Sequence, residues 1–226
     1  MRPRAYLVVN ADDLGYSRGI NRGVFEAHER GIVTSASLMV RRPAAEEAAA
    51  ESGSHAELGV GLHVDFGRQP VDQLDADAVT AEVHSQLDRF NELVGHAPTH
   101  LDSHRHVHRV EPLRSVLEGV AWELGIPLRH TSAANFLGEF HGQTEHGEPL
   151  PSALRPERLA ALLRRLPDGA HELCCHPGYA YGLDSTYGPE REVELRTLCD
   201  PRLWPVLAEE RIALVSFTEL RERLAA

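Results

Sequence analysis

Short apolar runs alternate with segments of helical period along the whole chain. Residues 5–10 (AYLVVN) are almost continuously apolar, as expected of a strand buried on both faces. In residues 19–30, Ile20, Val24 and Ala27 recur on one face, and Ser17 stands where a helix N-cap belongs. Residues 33–40 predict a second strand, 43–52 an Ala/Glu-rich helix, 58–66 a third strand and 75–94 a longer helix. The alternation continues with strands at 100–104, 127–131 and 172–176 and helices at 110–124, 156–166, 190–199 and 204–210. A last strand at 212–217 and a short helix follow. Roughly seven βα units of this kind predict an α/β fold with a parallel sheet under helices. We expect a single-domain (β/α) barrel over residues 1–226 with about seven parallel strands. It should be incomplete or distorted, because an eight-unit barrel typically takes ~250 residues. An open doubly wound sheet is the alternative. Residues 135–152 are the least regular and predict a long loop.

Composition narrows the classes. The charge balance is net −11, which argues against binding to a nucleic-acid backbone and favours a neutral or small substrate. No apolar run approaches the ~20 residues of a membrane span, and no signal-peptide core is visible, so a cytoplasmic protein with no membrane partner is expected. Cys174 and Cys175 are adjacent and Cys199 makes the count odd, which reads as reduced thiols rather than a disulfide framework. A homodimer is compatible with a barrel of this size, although no sequence feature argues for it.

The 14 histidines turn attention to metal chemistry. In parallel α/β folds the carboxyl ends of the strands meet the ligand. Asp12 and Asp13 follow the first strand, and His63 ends the third, with Asp65 two residues on. His100, Asp102, His104, His106 and His108 cluster at the fourth, and His176 ends the strand near Leu173. Two adjacent carboxylates repel, and a cation beside them relieves that repulsion. One could then hold a metal while the other takes a proton. Taken singly, each piece has an ordinary reading: two capping aspartates, a core histidine, a turn histidine before Pro177. The run HRHVH is harder to dismiss. If extended, it puts His104, His106 and His108 on one face, and burying three imidazoles without partners is costly. An Asp/His/His set with open positions suits a catalytic rather than a structural divalent ion.

The segments VVNADDLGYSRGINRGVFEAHERGIVTSASLMV, GVGLHVDF, PTHLDSHRHVH and CHPGYA, spanning Val8 to Ala180, resemble those of the YdjC-like carbohydrate deacetylases. That group includes chitooligosaccharide deacetylases and a deacetylase of hopanoid biosynthesis. The resemblance implies a (β/α) barrel of the glycoside hydrolase/deacetylase type that removes acetyl groups from N-acetylated sugars. It implies one divalent ion, Mg²⁺ or Zn²⁺, held by Asp13, His63 and His104, with Asp12 as general base. His176 is the candidate acid. His106 and His108 could serve instead or orient their neighbours, and Arg129 could orient a carboxylate or form a surface ion pair. The chain is shorter than many such proteins around 66–74 and 136–152. Two other readings stand beside this one. A metal-dependent phosphoesterase would want basic side chains at the rim, where Arg18, Arg105 and Arg129 are the chief ones. A non-catalytic barrel that binds carbohydrate would be expected to lack a base or a ligand.

Overall fold

The computed structural model describes residues 2–225 except 182 and 184. Seven strands form one parallel sheet, β1 (Ala5–Leu14), β2 (Ser35–Leu38), β3 (Gly59–Val64), β4 (Leu101–Ser103), β5 (Asn135–Leu137), β6 (Gly169–Cys175) and β7 (Ile212–Leu214). Among the described residues, eight α-helices connect and cover them: α1 (Arg18–Arg30), α2 (Ala45–Ser52), α3 (Ala76–Val94), α4 (Leu113–Leu124), α5 (Pro156–Arg164), α6 (Pro189–Leu198), α7 (Leu203–Glu209) and α8 (Phe217–Ala225). The order across the sheet is β4-β3-β2-β1-β6-β5, with β7 paired to the amino-terminal half of β1. One edge of β1 is covered by β6, and the other is shared by β7 at Ala5–Leu7 and β2 beyond Asn10. This central place explains why β1 reads as an apolar run without alternation.

The sheet curls into a distorted barrel, as expected. Its irregular side is where the sequence reading needs correction. Residues 127–131 do not form a strand: only an isolated parallel bridge joins Leu128 to Leu101. Next to it, the segment expected to be all loop contains β5, which runs beside β6 from Asn135↔His171 to Leu137↔Leu173. The chain passes from Leu128 to β5 without a covering helix, so the barrel is left open there. Sequence periodicity overestimated one strand because Pro127 and the turn at His130–Ser132 allow a single ladder rung only.

Local signals elsewhere act as their chemistry requires. The Ser17 hydroxyl accepts from the Ile20 amide at 3.2 Å and caps α1, while Asp75 caps α3 through the Ala78 amide at 2.8 Å. Gly95, at φ 84°, ends α3 in the left-handed conformation. The core is continuous from Leu7, Val9 and Ala11 on β1 to Ile20 and Val24 on α1, Val79, Val83 and Phe90 on α3, and Leu117 on α4. Among the described residues no helix is long and apolar enough to cross a membrane. An apolar groove of about 690 Å³ between α4 and α8, lined by Trp122, Leu128 and Phe217, lies on the flank, and no Asp or His lines it.

Candidate metal centre and active site

The carboxyl end of β1 is unusual. Its register against β2 slips between Ala11 and Leu14, and Asp13 within that slip has φ 69°. A non-glycine residue in the left-handed region carries strain, and a bulge re-aims the side chains beside it. Both aspartates are thereby buried on the interior side of the rim, at 3% exposure for Asp12 and 2% for Asp13. Gly15, at φ 88°, then turns the chain into α1, and a Cβ there would lie 2.9 Å from Leu38 Cδ1.

Asp12 belongs to a buried ion cluster. Arg129 donates from Nη1 to Asp12 Oδ2 at 2.7 Å and from Nη2 to Asp12 Oδ1 at 2.8 Å. The same guanidinium donates from Nε to Glu172 Oε1 at 2.6 Å and pairs through Nη2 with Asp102 Oδ2 at 2.9 Å. Asn10 Nδ2 adds a bond to Asp12 Oδ1 at 2.9 Å, and the Cys174 thiol approaches Oδ2 at 3.4 Å. Burial alone would raise the pKa of Asp12. The charge and hydrogen bonds of Arg129 outweigh it, helped by His63 and His176, and hold the carboxyl well below the usual range. Arg129 is therefore not a surface ion pair: its side chain is wholly enclosed, and it faces three carboxylates. Glu172 is the least compensated of them. Burial pushes it up to about 7 despite Arg129.

Asp13 faces a different set. Its Oδ1 lies 3.4 Å from His63 Nε2 and 3.1 Å from His104 Nδ1, and its Oδ2 accepts from Arg191 Nη2. Burial opposes ionisation, but Arg191 and the two imidazoles keep this carboxyl well below its ordinary range as well. His63 Nδ1 is fixed by Asp102 Oδ1 at 2.6 Å, a pairing set by the β3–β4 register, in which His63 lies beside Asp102. A carboxylate on one ring nitrogen fixes the tautomer and aims the other nitrogen inward, as in metal-ligating histidines. Burial disfavours charge on His63, yet Asp102, Asp13 and Asp12 together raise its pKa well above 6.5. The surroundings of this ring demand positive charge. One ligand atom from each of Asp13, His63 and His104 lies within 4.8 Å of the others, so the three residues expected to hold a metal are brought together. Two imidazoles and a carboxylate, one imidazole backed by Asp102, fit a divalent cation with open positions.

His176 lies across from Asp12, and its backbone amide donates to Glu194 Oε2. Its Nδ1 is buried without a partner among the described residues, 3.9 Å from Glu194 Oε1. Burial outweighs the pull of Asp12 and Asp13 and lowers His176 to about 3, so the ring rests neutral. Burial also raises Glu194, to about 7, against the hydrogen bonds from the Tyr187 hydroxyl and the His176 amide. His141, from the segment between β5 and α5, stacks on Tyr187 with centroids 4.6 Å apart and meets His176 edge-on at 5.5 Å. The Tyr187 hydroxyl accepts from the Gly142 amide at 2.7 Å, which ties that segment to the turn before α6.

Several expectations need correction. The run after β4 is not extended: Arg105 and His106 have φ 56° and 53°, and two tight turns replace the alternating face. His104 alone turns to Asp13, while His106 and His108 pack with His130 and Phe136. His100 is buried below the rim, between Ser37, Thr99 and the ring of Phe217. Asp65 pairs with Arg42 and caps the Gly67 amide. Arg18 is exposed and paired with Glu47. Glu172, Arg191, Glu194, Tyr187 and His141 were not anticipated.

Comparison with known proteins agrees with this architecture. A family model described as YdjC-like protein matches residues 6–209. A carbohydrate deacetylase of Geobacillus stearothermophilus is 34% identical, over 95% of this chain and 97% of that protein. A chitooligosaccharide deacetylase of Serratia marcescens is also 34% identical, over 95% and 98% respectively. Among solved structures, a cellobiose-phosphate cleavage protein candidate from Enterococcus faecalis superposes with a TM-score of 0.82 at 23% identity, over 96% of this chain and 98% of that one.

Proposed function

Because the chain belongs to the YdjC-like family, we propose that it is a metal-dependent hydrolase removing the acetyl group from an N-acetylated sugar or oligosaccharide. The carrying observation is the meeting of Asp13, His63 and His104 beside a second carboxylate, Asp12, that is held ionised by Arg129. One of the relatives above is named a carbohydrate deacetylase and the other a chitooligosaccharide deacetylase, which supports this substrate class. Asp13, His63 and His104 would hold a divalent ion, which would supply Lewis acidity towards a water and the acetyl carbonyl. Two imidazole donors favour Zn²⁺ over Mg²⁺.

The rest is done by side chains. Asp12 accepts the proton of the attacking water, and its bonds to Arg129 and Asn10 fix the direction from which it does so. Asp102 holds the His63 ring, and Arg191 holds the outer oxygen of Asp13. His176 delivers a proton to the leaving amine. It starts neutral and gains basicity as negative charge builds in front of it, so the proton that Asp12 took from the water passes to it before it reaches the amine, and Glu194 is the carboxyl placed to support a proton on Nδ1. The phosphoesterase reading loses support, since of the three rim arginines Arg129 is engaged by three carboxylates and Arg18 by Glu47, which leaves only Arg105 to clamp a phosphate. The protein acts as one domain in a reducing compartment, in keeping with the free thiols of Cys174, Cys175 and Cys199.

The test is acetate release from a panel of N-acetylated mono- and oligosaccharides by chelator-treated protein reloaded with Zn²⁺ or Mg²⁺, with bound metal counted. Release from at least one member is expected. Asp12→Asn should abolish release while leaving metal content nearly intact, and His104→Ala should abolish release and lose the metal held with Asp13 and His63. Equal metal loss in the two variants would sink this division of roles.

A further inference from the structure

Beside the first centre lies a second group of nitrogen donors with no place in the proposed reaction. One ring nitrogen each of His106, His108 and His130 falls within 4.8 Å of the others. His108 is clamped at its far side: its Nδ1 lies 2.7 Å from Ser103 Oγ, and its backbone amide donates to that oxygen at 2.8 Å. Its Nε2 is thereby aimed at His130 Nδ1, 2.8 Å away. His106 completes the triangle edge-on to both rings, and its Nδ1 is buried with no partner among the described residues.

We infer that His106, His108 and His130 form a second metal site, separate from that of Asp13, which takes a borderline divalent transition ion such as Zn²⁺ or Co²⁺. An imidazole pair can share one proton, but it leaves a third inward nitrogen unsatisfied. A metal satisfies all three. Two imidazoles on a tetrahedral ion stand about 3.3 Å apart for metal–nitrogen bonds of ~2.0–2.1 Å, so the 2.8 Å separation needs only a slight opening. The clamp of Ser103 on His108 is the hydrogen bond that ligating histidines commonly make with their other nitrogen. His130 is exposed, so an ion has a way in and keeps a fourth position open to water. Arg129 lies 5.4 Å from the Phe136 ring beside the cluster, but Asp12, Asp102 and Glu172 surround its charge, which leaves Arg109 as the cation that acts on His130 without an ion pair among the described residues.

The placement suggests what the ion does. His106 and His108 lie in the turns after β4, and His130 follows the Leu128 rung. These segments flank the open side of the barrel, where the ladder is weakest. Both His106 and His130 adopt left-handed backbone, φ 53° and 69°, which side chains other than glycine rarely take without a reason. An ion on the three rings staples the two segments together and fixes the turn from which His104 reaches Asp13.

The experiment counts metal in chelator-stripped protein equilibrated with Co²⁺ or Zn²⁺ and freed of excess, and follows the visible absorption of the Co²⁺ form. Two equivalents per chain are expected for the wild type. His130→Gly and His106→Asn, both suited to left-handed backbone, should each hold one equivalent and lose the same absorption band. His63→Ala should hold one equivalent and keep that band, and circular dichroism should show all three folded. A single equivalent in the wild type would overturn the inference. So would two equivalents in His130→Gly and His106→Asn, or none in folded His63→Ala.

Discussion

Replacing Arg129 tests whether one guanidinium organises the proposed base. Its three nitrogens reach Asp12 twice, Asp102 once and Glu172 once, all between 2.6 and 2.9 Å. Arg129→Met takes the guanidinium from three buried carboxylates, and breaking a buried pair costs about 3–5 kcal/mol. Against a total stability of about 5–15 kcal/mol, that variant is expected to be only marginally folded, so Arg129→Lys is the sharper probe. Lysine keeps the charge but presents one nitrogen and cannot span three carboxylates. Loss of one charge-assisted bond costs about 1.5–3 kcal/mol, which at a urea slope near 3 kcal/mol/M moves the midpoint by about 0.5–1 M. A base displaced by about 1 Å loses on the order of 100-fold in turnover. With weaker pairing the pKa of Asp12 rises, so the acid limb of the pH–rate profile should move to higher pH. The assays are urea unfolding and acetate release from pH 4 to 8. A lysine variant with wild-type midpoint, turnover and acid limb would refute the role assigned to Arg129.

Other consequences are separable. Gly61→Ala should destabilise by about 1–3 kcal/mol in urea unfolding, because a Cβ there would lie 2.3 Å from His100 Cε1 and the ring is backed by Phe217. Burial, more than its neighbours, depresses His100 to about 4. Its contribution is thus full above pH 6.5 and falls away as pH drops towards 4, a loss of about 2–3 kcal/mol by pH 4.5. His100→Gln should flatten the decline in stability between pH 7 and 4.5, and an unchanged slope would count against a neutral buried ring. Glu194→Gln removes the carboxyl facing His176 Nδ1 and should lower turnover by about 10–100-fold with metal content retained. Parallel loss of metal would instead place Glu194 in the metal centre.

The part of the site that follows strand ends was legible, and the part that depends on helix faces was not. Asp12, Asp13, His63, His104 and His176 all sit where parallel strands deliver their last residues. Asp102 was visible at such an end, but its hold on His63 is a sideways pairing that only the β3–β4 register creates. Helix α6 was harder. Its sequence PEREVELRTL reads as a charged surface helix, since charges are normally taken to face water. Yet Arg191 and Glu194 are both buried. The one available signal was their period: Arg191, Glu194 and Leu198 lie three or four residues apart, so the leucine that faces the core carries both charges inward with it. The bends at Arg105 and His106 left little trace, because neither residue is a glycine, the type that marks left-handed backbone most strongly.

The adjacent aspartates of β1 show how these two kinds of information combine. Two neighbouring carboxylates on a regular strand would point to opposite faces, and neither could share a centre with the other. The slip in register and the left-handed Asp13 bring both inward. Each then needs its own counter-charge, and the fold supplies two from separate places. Arg129, beside the Leu128 rung, engages Asp12 with both terminal nitrogens. Arg191, from α6, takes only one oxygen of Asp13 and leaves the other to His63 and His104. Asp12 is thus saturated by fixed donors and stays oriented and ionised, as the proposed base must. Asp13 keeps one oxygen directed at two imidazoles, which is the arrangement a cation requires. The difference between the proposed base and the proposed ligand therefore lies in which arginine reaches each carboxylate, and with how many nitrogens.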